Sequence, residues 1–396
     1  MVTLTFENYM RKREDIEALE ESTLAPYAMK SNQSTGREHE EPPHESRTCY
    51  QRDRDRIVHC EAFRKLEYKT QVFVIIEGDY YRTRLTHTIE VAQIARTTGR
   101  NLRLNEDLIE AIALAHDLGH PPFGHAGEEI LNDLLKEKGL PGFNHNHRSY
   151  EIVSKYEKRY PEFDGLNLTR EVLIGILKHK TLYDEPAVLE KFTNEGPSLE
   201  AQVVDIADSL AYLNHDVDDG LTSGCIIEQD LLENELWQKA LKKIKAKPAM
   251  SPEILKYQIV KELIDMQVKD LLTASYERLK QYGFRSSSEI RRCIDRIIDF
   301  SPEMMKHRNH LQNLLNKKFY HHYRVERMTS KARRIIQDLF NIYKNNPNQL
   351  PDKIYPRDRS INESEKYKII ANHIASMTDR YALDEHKKFF DPYERV

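Results

Sequence analysis

Apolar residues recur along most of this chain at helical spacing. Ile89, Val91, Ala92, Ile94 and Ala95 form one such stripe, and Val204, Leu210, Ala211 and Val217 form another. Leu255, Ile259, Leu263 and Met266 repeat the pattern, as do Ile335, Ile336, Leu339 and Ile342. Positions three and four apart lie on one face of a helix, so these stripes predict amphipathic helices. Residues 7–24, 126–138 and 169–178 also read as helical. Start signals agree with the stripes. Asn105-Glu106-Asp107 opens the helix that runs to Ala115, and Ser251-Pro252 and Ser301-Pro302 each pair an N-cap serine with proline at the first helical position. The best strand candidate is residues 71–76, followed by a turn at Glu77-Gly78-Asp79. Residues 25–47 lose periodicity and gather Ser, Gly, Pro and Glu, which predicts an exposed or ligand-ordered loop. The expected fold is all-α, with at most a short β-hairpin.

Composition narrows the class. With 396 residues the chain is long enough for a large core and a second, smaller unit. Charged residues make up 31% and hydrophobic ones 39%, as in a globular protein with a highly charged surface. A net charge of −4 gives no bulk attraction to nucleic acid or anionic lipid. No apolar run approaches the roughly 18 residues of a membrane span, and Met1 to Asn8 lack the order of a signal peptide. Cys49, Cys60, Cys225 and Cys293 show neither paired nor CxxC spacing, so a reducing cytoplasm is the expected location.

The chemistry gathers in two stretches. An apolar run from Ala111 to Ala115 ends in His116-Asp117, breaks at Gly119 and Pro121-Pro122, and adds His120 and His125. An isolated histidine on an apolar helix is most often a core residue. An adjacent aspartate changes that reading, because a buried carboxylate needs a cation or a hydrogen-bond partner. Imidazole and carboxylate together suit a divalent metal. The second stretch places Asp208, Tyr212 and Asp216 at i, i+4 and i+8, along one face of a buried helix. His87 falls on the first turn of a third helix, beside Arg82 and Arg84. Leu177-Lys178-His179-Lys180 ends another helix, where cations complement the dipole or bind an anion.

With His87, His116-Asp117 and Asp208 in place, the chain resembles the HD-domain metal-dependent phosphohydrolases. The segments at 51–57, 69–73, 78–87, 116–128 and 204–220 are similar to those of bacterial deoxyguanosinetriphosphate triphosphohydrolases, as are 19–28 and 377–382. The resemblance implies hydrolysis of a deoxynucleoside triphosphate to deoxynucleoside and inorganic triphosphate. It implies a divalent metal (Mn, Mg, Fe, Co, Ni or Zn) on His87, His116, Asp117 and Asp208, with Asp205 supporting them. His125 then serves as catalytic histidine and Glu128 orients it. Arg84, His120 and Lys178 are the implied phosphate contacts. Gln71, Val72, Asn146, Tyr212, Asp216 and Tyr320 are implied around the nucleoside, the two tyrosines excluding ribose. Arg148 departs from the family by standing where many relatives have glutamine.

The implied organisation is an N-terminal helix and loop (1–50), a catalytic core (51–225) and a C-terminal helical region (226–396) that completes the pocket and oligomer contacts. A tetramer or hexamer is implied, together with an activating nucleotide bound near Arg52 to Arg56, while nucleic-acid binding is not indicated. Two other readings use the same residues: a nucleotidase or phosphodiesterase acting on another nucleotide, and a nucleotide sensor without turnover.

Overall fold

Side-chain caps set where the helices begin. The Thr83 hydroxyl accepts from the Thr86 amide, so the following helix carries Arg84 and His87 on its first turn. The Asn105 side chain accepts from the amides of Asp107 and Leu108, and Ser198, Ser251 and Ser301 act in the same way. The computed structural model describes residues 10–71, 82–181, 186–187, 189–193, 195–245, 248, 250–356 and 360–395.

Helices α1 (Arg13–Thr23), α2 (Cys49–Val58) and α3 (Glu61–Lys65) come first. The central bundle follows as α4 (Arg84–Asn101), α5 (Glu106–Ala115), α6 (Gly124–Lys136), α7 (His145–Glu151), α8 (Arg170–Leu177) and α9 (Leu199–Ser223). The rest are α10 (Glu228–Leu231), α11 (Glu235–Lys245), α12 (Pro252–Tyr282), α13 (Ser287–Arg292), α14 (Pro302–Leu315), α15 (Tyr323–Asn345), α16 (Glu363–Ala375) and α17 (Asp379–Phe390). The protein is all-α; among the described residues only isolated β-bridges occur. One of them joins Thr70 to Thr83 across the strand candidate, whose residues 72–76 and following turn lie outside the described residues. Among the described residues, no helix is long and apolar enough to cross a membrane.

Two hydrophobic cores divide the chain unevenly. The larger surrounds α5 and α9, whose Ile112, Ala113, Val204, Leu210 and Ala211 are fully buried, and it extends through α12 and α14. The smaller joins Leu131, Leu134 and Leu135 of α6 to Ile336, Leu339 and Phe340 of α15 and to Ile370 and Ile374 of α16. Helix α6 therefore leads from the central bundle into the C-terminal unit.

Of residues 25–47, expected as an exposed or ligand-ordered loop, 38–46 are mostly exposed, whereas 25–37 are docked on the protein itself. Buried Glu20 takes the Ser31 amide and hydroxyl. Glu171 takes the Thr35 amide and hydroxyl, each at 2.7 Å, and Arg37 pairs with fully buried Asp53. The carboxylates that hold the segment lie up to 171 residues away in sequence, so local composition cannot announce them.

Glu200 links three elements from the first turn of α9. Its Oε1 accepts from the Met29 amide (2.9 Å) and the Asn105 amide (3.2 Å), tying the docked segment and the start of α5 to α9. Burial pushes its carboxyl up to about 7, against the hydrogen bonds that favour the charge. An unfolded glutamate titrates near about 4.3. The folded state thus holds the proton more tightly, and stability from this group is full below that value and is lost as pH rises through about 7. Glu200→Gln keeps an acceptor for both amides without the titration. Urea unfolding as a function of pH should show a flatter profile for the variant, with its advantage over wild type growing as pH rises from about 4.3 to about 7 and level above that.

Candidate metal centre and active site

Several parts of the chain converge on one cavity and the pocket beside it. Helix α4 brings Arg84 and His87, and the end of α5 brings His116 and Asp117. Behind these, Gly119 seats its loop directly on α7: a Cβ there would lie 2.2 Å from the His145 carbonyl oxygen and 2.3 Å from the Ser149 nitrogen. That contact stacks the His120 and His145 rings at 3.8 Å between centroids. Phe123 then adopts a left-handed conformation (φ 65°), uncommon for a non-glycine residue. It turns the chain into α6, with His125 on the first turn and Glu128 one turn on. Helix α9 supplies Asp205, Asp208, Tyr212 and Asp216 in successive turns. A π-helical turn, Asn316–Tyr320, brings in Tyr320.

The donor set fits a divalent cation. Ligand atoms of His87, His116 and Asp208 all lie within 4.8 Å of one another. His87 Nε2 is 2.8 Å from Asp208 Oδ1. His116 Nδ1 lies 2.6 Å from the Ala113 carbonyl, which makes it the protonated nitrogen and leaves a lone pair on Nε2. That Nε2 is buried without a hydrogen-bond partner, and it faces Asp117 Oδ1 at 3.4 Å and Asp208 Oδ1 at 3.9 Å. A buried lone pair aimed at two carboxylates is the arrangement a cation would complete. Asp117 stands between this group and a second one, Asp117–His120–His145, with Oδ1 3.2 Å from His120 Nε2.

The electrostatics agree with the geometry. Burial opposes ionisation of both carboxyls, yet His116, Arg84 and His120 hold Asp117 well below the usual range, and His179 and His87 do the same for Asp208. Burial keeps His116 below the ordinary imidazole value, despite those carboxylates. It also pushes His120 down to about 3, with help from Arg84 and His145. Glu128 accepts from the His145 amide at 2.9 Å and sits 3.1 Å from the His145 ring, and the nearby His145, His120 and His125 hold it low against burial.

At the far wall, the Tyr320 hydroxyl donates to fully buried Asp216, and the Tyr212 and Tyr320 rings lie 6.5 Å apart. The Tyr212 ring also meets His125 edge-on at 6.0 Å. Gln71 closes another side, with Oε1 buried and without a hydrogen-bond partner among the described residues. Most residues singled out from sequence therefore meet around one space. His116 and Asp216 lie behind its lining, Glu128 and Tyr320 line the neighbouring pocket beside Gln71, His125 and Tyr212, and Lys178 and Asn146 line neither. Lys178 caps the C-terminus of α8, and the Asn146 amide donates to the His179 carbonyl at 2.9 Å. Val72 lies outside the described residues.

Several functional neighbours escaped the sequence reading. Helix α8 stops at Leu177, so His179, rather than Lys178, turns inward, its Nδ1 2.8 Å from Asp205 and its Nε2 3.2 Å from Asp208. His215 lies behind His87, with the two Nδ1 atoms 3.2 Å apart, and its own Nε2 is 2.6 Å from Glu90. The only signal for His215 was its place beside Asp216 on α9. Thr181, Ser209 and Gln312 also line the cavity, with no motif to mark them.

Comparison with known proteins bears on this arrangement. The HD domain matches residues 84–213, which carry all four expected ligands, and the phosphohydrolase-associated domain matches residues 298–388. The deoxyguanosinetriphosphate triphosphohydrolase-like protein of Geobacter sulfurreducens is 46% identical over 390 residues, covering 98% of this chain and 100% of that protein. The like-named protein of Geobacter metallireducens is 48% identical over 380 residues (95% and 97%), and that of Ralstonia pickettii 47% over 375 (93% and 95%). Similarity of this depth over nearly the whole of both chains makes the protein a member of the HD-domain, deoxyguanosinetriphosphate triphosphohydrolase-like family of metal-dependent phosphohydrolases.

Proposed function

We propose that this protein hydrolyses deoxynucleoside triphosphates at the α-phosphorus, releasing deoxynucleoside and inorganic triphosphate. The observation that carries this reading is the state of Arg84. Its guanidinium is almost completely buried, with Nη1 2.9 Å from Asp117 Oδ2, while Nε and Nη2 are buried without hydrogen-bond partners among the described residues. Such a fork beside a cation site calls for an anionic acceptor with several oxygens, and a polyphosphate supplies them.

His87, His116, Asp117 and Asp208 would hold the cation. When bound, a divalent metal neutralises phosphate charge and acidifies water. The remaining steps belong to the chain's own residues. Arg84 and His120 grip phosphate oxygens. His125, presented at the first turn of α6, moves a proton to the 5′-oxygen as water adds to the α-phosphorus and the bond between them breaks. Gln71 and Asp216 receive the 3′-hydroxyl. Tyr212, with Tyr320 held in place by Asp216, fills the space a 2′-hydroxyl would need, a clash set against ribonucleotides.

Incubation of the Mn²⁺-loaded protein with each deoxynucleoside triphosphate, followed by product separation, should yield tripolyphosphate and deoxynucleoside. Orthophosphate or pyrophosphate as the first product would overturn the reading in favour of another nucleotide hydrolase. His125→Ala should lower kcat by about 10²–10⁴-fold while nucleotide still binds, as checked by steady-state kinetics beside equilibrium binding.

The support behind His87 leads to another outcome. For His87 to present Nε2, its Nδ1–H must donate, and the acceptor is His215 Nδ1, whose Nε2–H in turn donates to Glu90. Burial pushes His215 down to about 4, so it is neutral and able to accept. Outer partners of this type are worth about 10–100-fold in metal affinity. Chelator competition should show such a loss of Mn²⁺ affinity in His215→Ala. Unchanged affinity would remove His215 from this role.

A further inference from the structure

One buried carboxylate outside the cavity joins the two segments that carry Gln71 and His125. Asp379, at the first position of α17, is 1% exposed. Its Oδ2 accepts from the Thr70 amide at 2.9 Å and from the Thr70 hydroxyl, and its Oδ1 accepts from the Phe123 amide at 2.9 Å. Thr70 immediately precedes Gln71. Phe123 is the left-handed residue that turns the chain into α6, two positions before His125. Alongside, buried Lys69 donates from Nζ to the carbonyls of His120 and Ala375, the latter at 3.2 Å. Thus the junction of α16 and α17 meets the same two segments twice, once through a carboxylate and once through an ammonium.

We propose that Asp379 is a positioning residue: it fixes the distance between the group that receives the sugar 3′-hydroxyl and the group that moves the proton, and so makes α17 part of the catalytic apparatus. This rests on the function proposed above. The physical reason is that neither segment is rigid by its own structure. Thr70 and Gln71 lie outside any helix, and residues 118–123 form the turn between α5 and α6. A carboxylate accepting three hydrogen bonds from both clamps them together, and burial strengthens each bond by excluding water. A displacement of about 1 Å between reacting groups costs up to about 10²-fold in rate.

The test uses the full-length, Mn²⁺-loaded protein and two variants, Asp379→Asn and Thr70→Val. The asparagine keeps the shape but turns an amide donor toward donors. The valine removes only the hydroxyl bond, and so carries the test if the first variant fails to fold. Hydrogen exchange is followed in residues 66–71 and 118–126, kcat and KM are measured for a deoxynucleoside triphosphate and its 2′,3′-dideoxy counterpart, and bound metal is counted. Asp379→Asn should lose protection in both segments and lose about 10–10²-fold in kcat. Its preference for the 3′-hydroxyl should fall toward that of Gln71→Ala, with metal content at the wild-type value. Thr70→Val should show the same signature at smaller amplitude. Unchanged exchange in either segment overturns the proposal. So does an activity loss that leaves the 3′-hydroxyl preference intact or follows a loss of metal. If the wild-type protein releases no tripolyphosphate, the functional reading fails, and exchange in the two segments still decides whether Asp379 clamps them.

Discussion

The site depends on the meeting of two buried carboxylates, Asp117 and Asp208, with the imidazoles of His87 and His116. Taking two negative charges out of water costs several kcal/mol each unless positive charge or hydrogen bonds are placed against them. Each element of the central bundle answers part of that demand. Arg84 from α4 takes one oxygen of Asp117, His179 reaches Asp208 from beyond α8, and His87 meets Asp208 from α4. What these contacts leave open is the His116 Nε2 lone pair, directed at both carboxylates. The bundle thus assembles an incomplete charge balance that a divalent cation would close.

The supports around this centre have one design. Four histidines around the centre are gripped from behind, and all but His116 by a residue on a different element. His87 rests on His215 and Glu90, His116 on the Ala113 carbonyl, His145 on Glu128, and His179 on Asp205. Placing the grips on separate helices means that no single helix can shift without straining several contacts. Such mounting suits chemistry in which metal, phosphate and proton donor must hold their mutual distances.

What could be read from sequence follows from how local each device is. The all-α fold was legible because helical periodicity and caps act within a few residues: Asn105, Ser251 and Ser301 all cap as expected. His116-Asp117 stood out because an acidic residue closing an apolar run has few other uses. The stripe of Asp208, Tyr212 and Asp216 was legible because one helix carries all three. The basic end of α8 was less legible, since the helix stops at Leu177 and only the turn that follows decides that His179 faces inward. The docking of residues 25–37 was hidden for another reason, because its acceptors Glu171 and Asp53 belong to elements whose approach no local pattern records.

The same contrast explains why the C-terminal helices matter to a site whose ligands all lie between residues 87 and 208. The proposed ligands sit on or at the ends of helices of the larger core, held by packing and by the hydrogen bonds behind them. Gln71 and the turn that leads to His125 lie instead outside the helices, and these are the segments that α16 and α17 reach through Ala375 and Asp379. On the proposed roles, metal binding would be a property of the central bundle, whereas the relative placement of Gln71 and His125 would draw on the end of the chain. On this division, weakening the C-terminal contacts would first impair the handling of substrate and only later the retention of metal.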